Sequence, residues 1–221
     1  MAKANQDVGT LGLRAANTVF GGLLDLLAPP ECAGCGSAES VWCRGCLGQE
    51  PSCLWPAEVP EGCRTAWFYT PYDHVVGGAW RRAKYGGDRV ACDTVVRATV
   101  DALCLPEVDV VVPVPQDWKS TWSRGFFPVG RLSRAVAERL EVPERRMLRR
   151  RTGPSLASLE RSERRLAALR AFRAAGGLDG ERVLLVDDVL TTGSTATACA
   201  SELLCAGASE VHLVVVCWAF A

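Results

Sequence analysis

One stretch constrains this chain more than any other: Arg182-Val183-Leu184-Leu185-Val186-Asp187-Asp188-Val189-Leu190-Thr191-Thr192-Gly193-Ser194-Thr195. Val183 to Val186 is apolar at every position, the pattern of a parallel strand buried on both faces. After Gly193 the period changes, and Ala196, Cys199, Ala200, Leu203 and Gly207 recur at helical spacing. The polar loop between them therefore lies at the carboxyl end of a strand and feeds a helix N-terminus. Free backbone N–H groups and the helix dipole attract a phosphate there, and Thr191, Thr192, Ser194 and Thr195 add hydroxyl donors. Gly193 lets the backbone come close to the anion. Asp187 and Asp188 stand on the opposite lip, where carboxylates accept hydrogen bonds from two sugar hydroxyls. Phosphate on one side and sugar hydroxyls on the other describe a ribose 5-phosphate.

Four apolar residues, Asp-Asp and then Thr-Thr-Gly-Ser-Thr resemble the phosphoribosyl pyrophosphate (PRPP) loop of type I phosphoribosyltransferases. An apolar fraction of 48% is enough for the buried parallel sheet that this likeness implies. No apolar run reaches the ~18 residues that a membrane-spanning helix needs.

A second constraint lies near the N-terminus. Cys32-Ala33-Gly34-Cys35 is followed, after seven intervening residues, by Cys43-Arg44-Gly45-Cys46. Two C-x-x-C knuckles so close together match a tetrahedral zinc site with Cys32, Cys35, Cys43 and Cys46 as ligands, each pair closing a tight turn that Gly34 and Gly45 permit. Four thiolates leave no open position, so this zinc is expected to be structural. A redox pair is the rival, which two motifs in a row disfavour. Cys53 and Cys63 follow in a Pro-rich linker and are expected to be free thiols. The N-terminal apolar stretch is interrupted by Asp25 and lacks a clean small-residue cleavage site. Eleven cysteines without an export signal then point to reduced thiols and a cytoplasmic protein.

Elsewhere the periodicity predicts an amphipathic helix from about Gly12 to Ala28, ended by Pro29-Pro30. A short β-prone run, Thr65 to Tyr69, precedes a helix marked by Tyr72, Val75, Val76, Ala79, Trp80 and Ala83. Lys84-Tyr85-Gly86-Gly87-Asp88 breaks that helix, and a second runs from about Arg89 to Leu103. Val108 to Val114 is another buried strand, with the proline-locked exit Val112-Pro113-Val114-Pro115 at the edge where α/β sheets collect ligands. Lys84 beside its glycine turn is either a phosphate contact or a surface lysine. Arg124-Gly125-Phe126, ahead of a helix carrying Val129, Leu132, Val136 and Leu140, offers a guanidinium able to fork onto phosphate oxygens. The strand Val211 to Val216 is expected to close the sheet.

Zero net charge hides an asymmetry: Lys119 to Arg173 holds fifteen Lys or Arg against five Glu. Such a segment suits a nucleic acid or a pyrophosphate, or forms solvated arginine-rich helices.

In this order, the four cysteines, Lys-Tyr-Gly-Gly, Val-Pro-Val-Pro, Arg-Gly-Phe and the Asp-Asp loop resemble the ComF family over about Leu23 to the C-terminus. The resemblance implies an α/β fold: a type I phosphoribosyltransferase-like parallel sheet flanked by helices, with a small N-terminal four-cysteine zinc ribbon. The implied division is an N-terminal amphipathic helix over 1–30, the zinc ribbon and linker over 31–64, and the phosphoribosyltransferase-like domain over 65–221. It further implies PRPP with Mg2+ as ligand, Val-Pro-Val-Pro at the pyrophosphate-loop position, and Lys84 and Arg124 as contacts to phosphate. The family is named for competence in DNA uptake, which brings in single-stranded DNA or a competence-machinery protein as partner. Where the family carries Asn and Gln after Arg-Gly-Phe, this chain has Phe127 and Pro128. Gly153-Pro154-Ser155 and Ala167 likewise stand where the family has a Gln and an Asn. Thr191 occupies the place of the Asp that purine-salvage relatives use on a purine nitrogen, which disfavours a purine acceptor. Three functions follow: transfer of phosphoribose to an unknown acceptor, a non-catalytic PRPP or nucleotide sensor, and a nucleic-acid-associated competence factor. Neither His74 nor His212 stands out as a general base, and no catalytic residue is assigned.

Overall fold

The computed structural model describes residues 31–32, 34–38, 43–47, 53–116, 127–151 and 171–219. The helix expected over Gly12–Ala28, Arg124 with its two neighbours, and about half of the basic segment (119–126 and 152–170) lie outside the described residues.

The described elements are α1 (Arg44–Leu47), β1 (Trp55–Pro56), β2 (Thr65–Pro71), α2 (Val75–Gly86), α3 (Arg89–Asp101), β3 (Val110–Pro113), α4 (Pro128–Leu140), β4 (Leu148–Arg150), β5 (Phe172–Ala174), β6 (Arg182–Leu190), α5 (Ser194–Cys205) and β7 (Glu210–Trp218). Their main sheet has the order β1-β2-β7-β6-β3. The pairs β2–β7, β7–β6 and β6–β3 are parallel, and only the two-residue β1 runs antiparallel. The chain is thus α/β with a parallel-dominated sheet and a four-cysteine cluster at its N-terminal side.

Strand alternation distributes the core to two faces. Val111, Leu184, Val186, Val214 and Val216 point toward α2, α3 and α4, where Trp80, Val95 and Leu132 are fully buried. Val110, Val112, Leu185, Leu213 and Val215 point the other way, onto α5 and the small antiparallel sheet of β4 and β5. Strands covered on both faces can be apolar throughout, which is why β3 and β6 lack alternation. The free edge of β3 is capped: Val111 N–H donates to Pro143 O at 3.0 Å, and Arg145 N–H donates to Val111 O at 2.9 Å.

The last strand corrects one expectation. β7 does not close the sheet but lies inside it, between β2 and β6. All seven residues from Val211 to Cys217 are buried, which only a strand with neighbours on both sides and cover on both faces achieves. Among the described residues no helix is long and apolar enough to cross a membrane.

Candidate functional site

At the N-terminal side, the Sγ atoms of Cys32, Cys35, Cys43 and Cys46 all lie within 4.8 Å of one another. Cys35 Sγ and Cys43 Sγ are 3.7 Å apart, close to the ~3.8 Å edge of a tetrahedron with ~2.3 Å Zn–S bonds. Cys43 N–H donates to Cys32 Sγ at 3.3 Å. Burial works against the Cys32 thiolate, but backbone N–H groups of Cys43, Cys35 and Gly34 outweigh it and hold the thiol at about 6. Cys46 is pushed well up, by burial first and then by its neighbouring thiols. Four such groups ionise together only around a cation, so the donor set fits a structural zinc. The glycines act differently from the sequence expectation. The turn is made at Gly36, with φ of 79° and its N–H donating to Cys32 O at 2.8 Å. Gly34 is instead a close-approach position, where a Cβ would stand 2.9 Å from Cys46 Sγ and 2.8 Å from Val75 Cγ2. Gly45 lies within α1.

The second site is built where β6 ends. Asp187 and Asp188 are 8% and 6% exposed. Asp188 N–H donates to Asp187 Oδ1 at 2.8 Å. Burial, with the Asp188 charge added, pushes Asp187 well above the usual carboxylate range. Two elements converge on Asp188 Oδ2: Lys84 Nζ from the last turn of α2 at 2.6 Å, and Gln116 Nε2 from the exit of β3 at 3.0 Å. Burial disfavours the Lys84 ammonium, but Asp188 outweighs it and raises the lysine's pKa.

Across the cavity from Asp187, Gly193 caps α5 with φ of 72° and no side chain takes up the cap hydrogen bond. The N–H groups of the first turn thus face outward without a capping side chain, as an anion site requires. Thr191, Thr192, Ser194 and Thr195 are exposed around them, with Thr192 Oγ1 and Ser194 Oγ 3.0 Å apart. Asp187, this loop, Leu213 and Val215 line a cavity of about 30 Å³, enough for a compact polar group. Pro60 backs the loop, since a Cβ on Gly193 would stand 3.3 Å from its ring.

Residues 122–219 match the family model described as a phosphoribosyl transferase domain. The chain is 29% identical over 197 residues to competence protein F of Haemophilus influenzae, an alignment covering 83% of this chain and 82% of that protein. The chain is thus similar to competence protein F along most of its length, and its residues 122–219 are similar to phosphoribosyl transferase domains. Adenine phosphoribosyltransferase of Rhodococcus jostii is 36% identical over 122 residues, 54% of this chain and 64% of that enzyme. Among solved structures, the allosteric regulatory enzyme of purine biosynthesis is similar with a TM-score of 0.40 and 24% identity, over 56% of this chain and 25% of that one.

Asp187 and the hydroxyl loop line one cavity, while Asp188, the next residue on the strand, is held by Lys84 and Gln116. Lys84 is thus held on a carboxylate, not on the hydroxyl loop. Arg124 falls in the matched span but outside the described residues. Gln116 was not singled out from the sequence, although its place directly after Val-Pro-Val-Pro, at the ligand edge of the sheet, was a usable signal. The histidines are engaged elsewhere. His74 Nδ1 accepts the Val76 N–H that starts α2. His212 pairs with Leu184, three residues before Asp187 and so roughly 10 Å along the strand, and its Nδ1 lies 2.6 Å from Thr65 Oγ1.

Proposed function

We propose that this chain binds PRPP at the β6–α5 junction and transfers its phosphoribosyl group to an acceptor. The observation that carries this reading is the buried Asp187, with Asp188 beside it, sharing a small polar cavity with a helix N-terminus that has no capping side chain. The N–H groups of α5 and the hydroxyls of Thr191, Thr192, Ser194 and Thr195 hold the 5-phosphate. Asp187 and Asp188 accept hydrogen bonds from the ribose hydroxyls. Lys84 and Gln116 keep Asp188 in place, and Arg124 with the Pro113–Pro115 turn serves the pyrophosphate. Magnesium, carried mainly on the ligand's own oxygens, would neutralise the leaving pyrophosphate. The chain's own task is to fix the sugar while the C1–oxygen bond breaks through an oxocarbenium-like state. The Rhodococcus enzyme's name gives adenine as its acceptor. Thr191, in place of an acid, argues against a purine here.

The test is calorimetric titration of PRPP with magnesium into wild type and Asp187→Asn/Asp188→Asn. Micromolar binding that the double variant loses supports the reading, and release of pyrophosphate on addition of an acceptor distinguishes transferase from sensor. No binding by folded, zinc-loaded wild type overturns it. The sensor reading is favoured by the hydrogen bonds that occupy Nδ1 of both histidines. It predicts binding with no turnover.

A nucleic-acid role draws on one further observation. Arg149 and Arg173, both exposed, are directly opposite each other across β4 and β5, a like-charge pairing that an anion relieves. If the role holds, Arg149→Ala/Arg173→Ala weakens binding of single-stranded DNA and flattens its salt dependence.

A further inference from the structure

The four-cysteine cluster and the carboxylate pair lie at opposite ends of one set of contacts, and α2 is what joins them. Its first residue, Val75, packs against Gly34 between the first two cysteines. Near its other end, Arg82 Nη1 donates to Cys32 O at 2.7 Å, while Arg82 Nη2 donates to Asp88 Oδ2 at 2.8 Å. Two residues on, Lys84 reaches Asp188. Positions two apart lie on roughly opposite sides of a helix, so the same turn faces the cysteines with Arg82 and the sugar seat with Lys84. That turn cannot easily rotate or slide. Trp80 and Ala83 are fully buried, and at Gly77 a Cβ would stand 2.5 Å from Tyr72 O. Packed this closely, a displacement at the cysteine end has no slack to absorb it.

We propose that Arg82 is a positioning residue, tying the Cys32 carbonyl of the metal-binding loop to the helix turn that places Lys84 on Asp188. Zinc held by the four cysteines then tightens the phosphoribosyl seat, and by reciprocity an occupied seat tightens the hold on zinc. The inference rests on the PRPP reading of the β6–α5 site for its ligand, but its mechanical half does not.

The experiment measures zinc release to a chromogenic chelator from the full chain, with and without saturating PRPP and magnesium. In wild type PRPP slows release about fivefold or more, a common allosteric magnitude. In Arg82→Met that protection disappears, although zinc and PRPP each still bind. Asp88→Asn is the control: it removes the carboxylate that Arg82 holds at 2.8 Å, leaving the longer Glu31 pair at 3.9 Å and the α3 cap, and it retains the protection. Equal release rates with PRPP bound to wild type, or protection persisting in Arg82→Met, overturn the proposal. Should PRPP not bind, the site reading fails by itself, and the coupling is decided by acylation of Lys84 followed by mass spectrometry. Zinc removal and Arg82→Met each speed Lys84 labelling severalfold if the tie exists. Unchanged labelling in both removes it.

Discussion

Asp187 is buried beside a second carboxylate, and its pKa is raised by that burial first and by Asp188 second. Its ionised form therefore strains the folded protein. The associated stability is present below the unfolded carboxylate pKa of ~4 and is lost as pH rises through the higher folded value. Asp187→Asn removes that cost. It should stabilise the protein at neutral pH by the ~0.5–2 kcal/mol typical of relieving one unfavourable group. The gain should vanish near pH 4, checked by urea denaturation at both pH values. The same variant is expected to lose PRPP affinity, because the amide replaces one acceptor oxygen with a donor. Stability and binding moving in opposite directions is the signature of a residue kept for its ligand. At this scale the sequence was legible where chemistry is contiguous, as in Asp187 to Thr195. It was opaque where contacts are made across elements: nothing local to Gln116 or Lys84 says that both end on one oxygen of Asp188.

Among elements, α2 has the least tolerance. Gly77 packs against the carbonyls of Pro71 and Tyr72, where a Cβ would be 2.7 and 2.5 Å away. Gly77→Ala should therefore destabilise by about 1–3 kcal/mol despite the better helix propensity of alanine, measured as a shift in urea midpoint without a change in slope. The elements with a clear period were legible: α2, α4 and α5 from their apolar spacing, β3 and β6 from unbroken apolar runs. The structure extended β6 through Asp187 and Asp188 to Leu190, because β7 continues to pair with it there. By contrast β4 and β5 have three residues each, too few to show alternation. They are defined by distant partners, with Leu148 and Phe172 buried under the sheet and Ala174 N–H donating to Glu202 Oε2 at 3.1 Å.

At the scale of the molecule, the cysteine cluster does not stand apart. Cys32, Cys43 and Cys46 belong to the same buried cluster as Val76, Trp80 and Leu132. Stripping zinc by chelation should therefore lower the thermal midpoint of the whole protein by at least about 5 °C, read by calorimetry, with no separate ribbon transition. What sequence patterns could not convey was the order of strands, since periodicity identifies a buried strand without saying between which neighbours it lies. That order has a consequence for how the protein is made. β2 and β6 flank β7 and never pair with each other, so a nascent chain carries β2 as an open, apolar edge from early on, joined late by β6, until β7 emerges. The middle of this sheet is synthesised after its sides, and the growing polypeptide must be shielded from its neighbours through most of its translation.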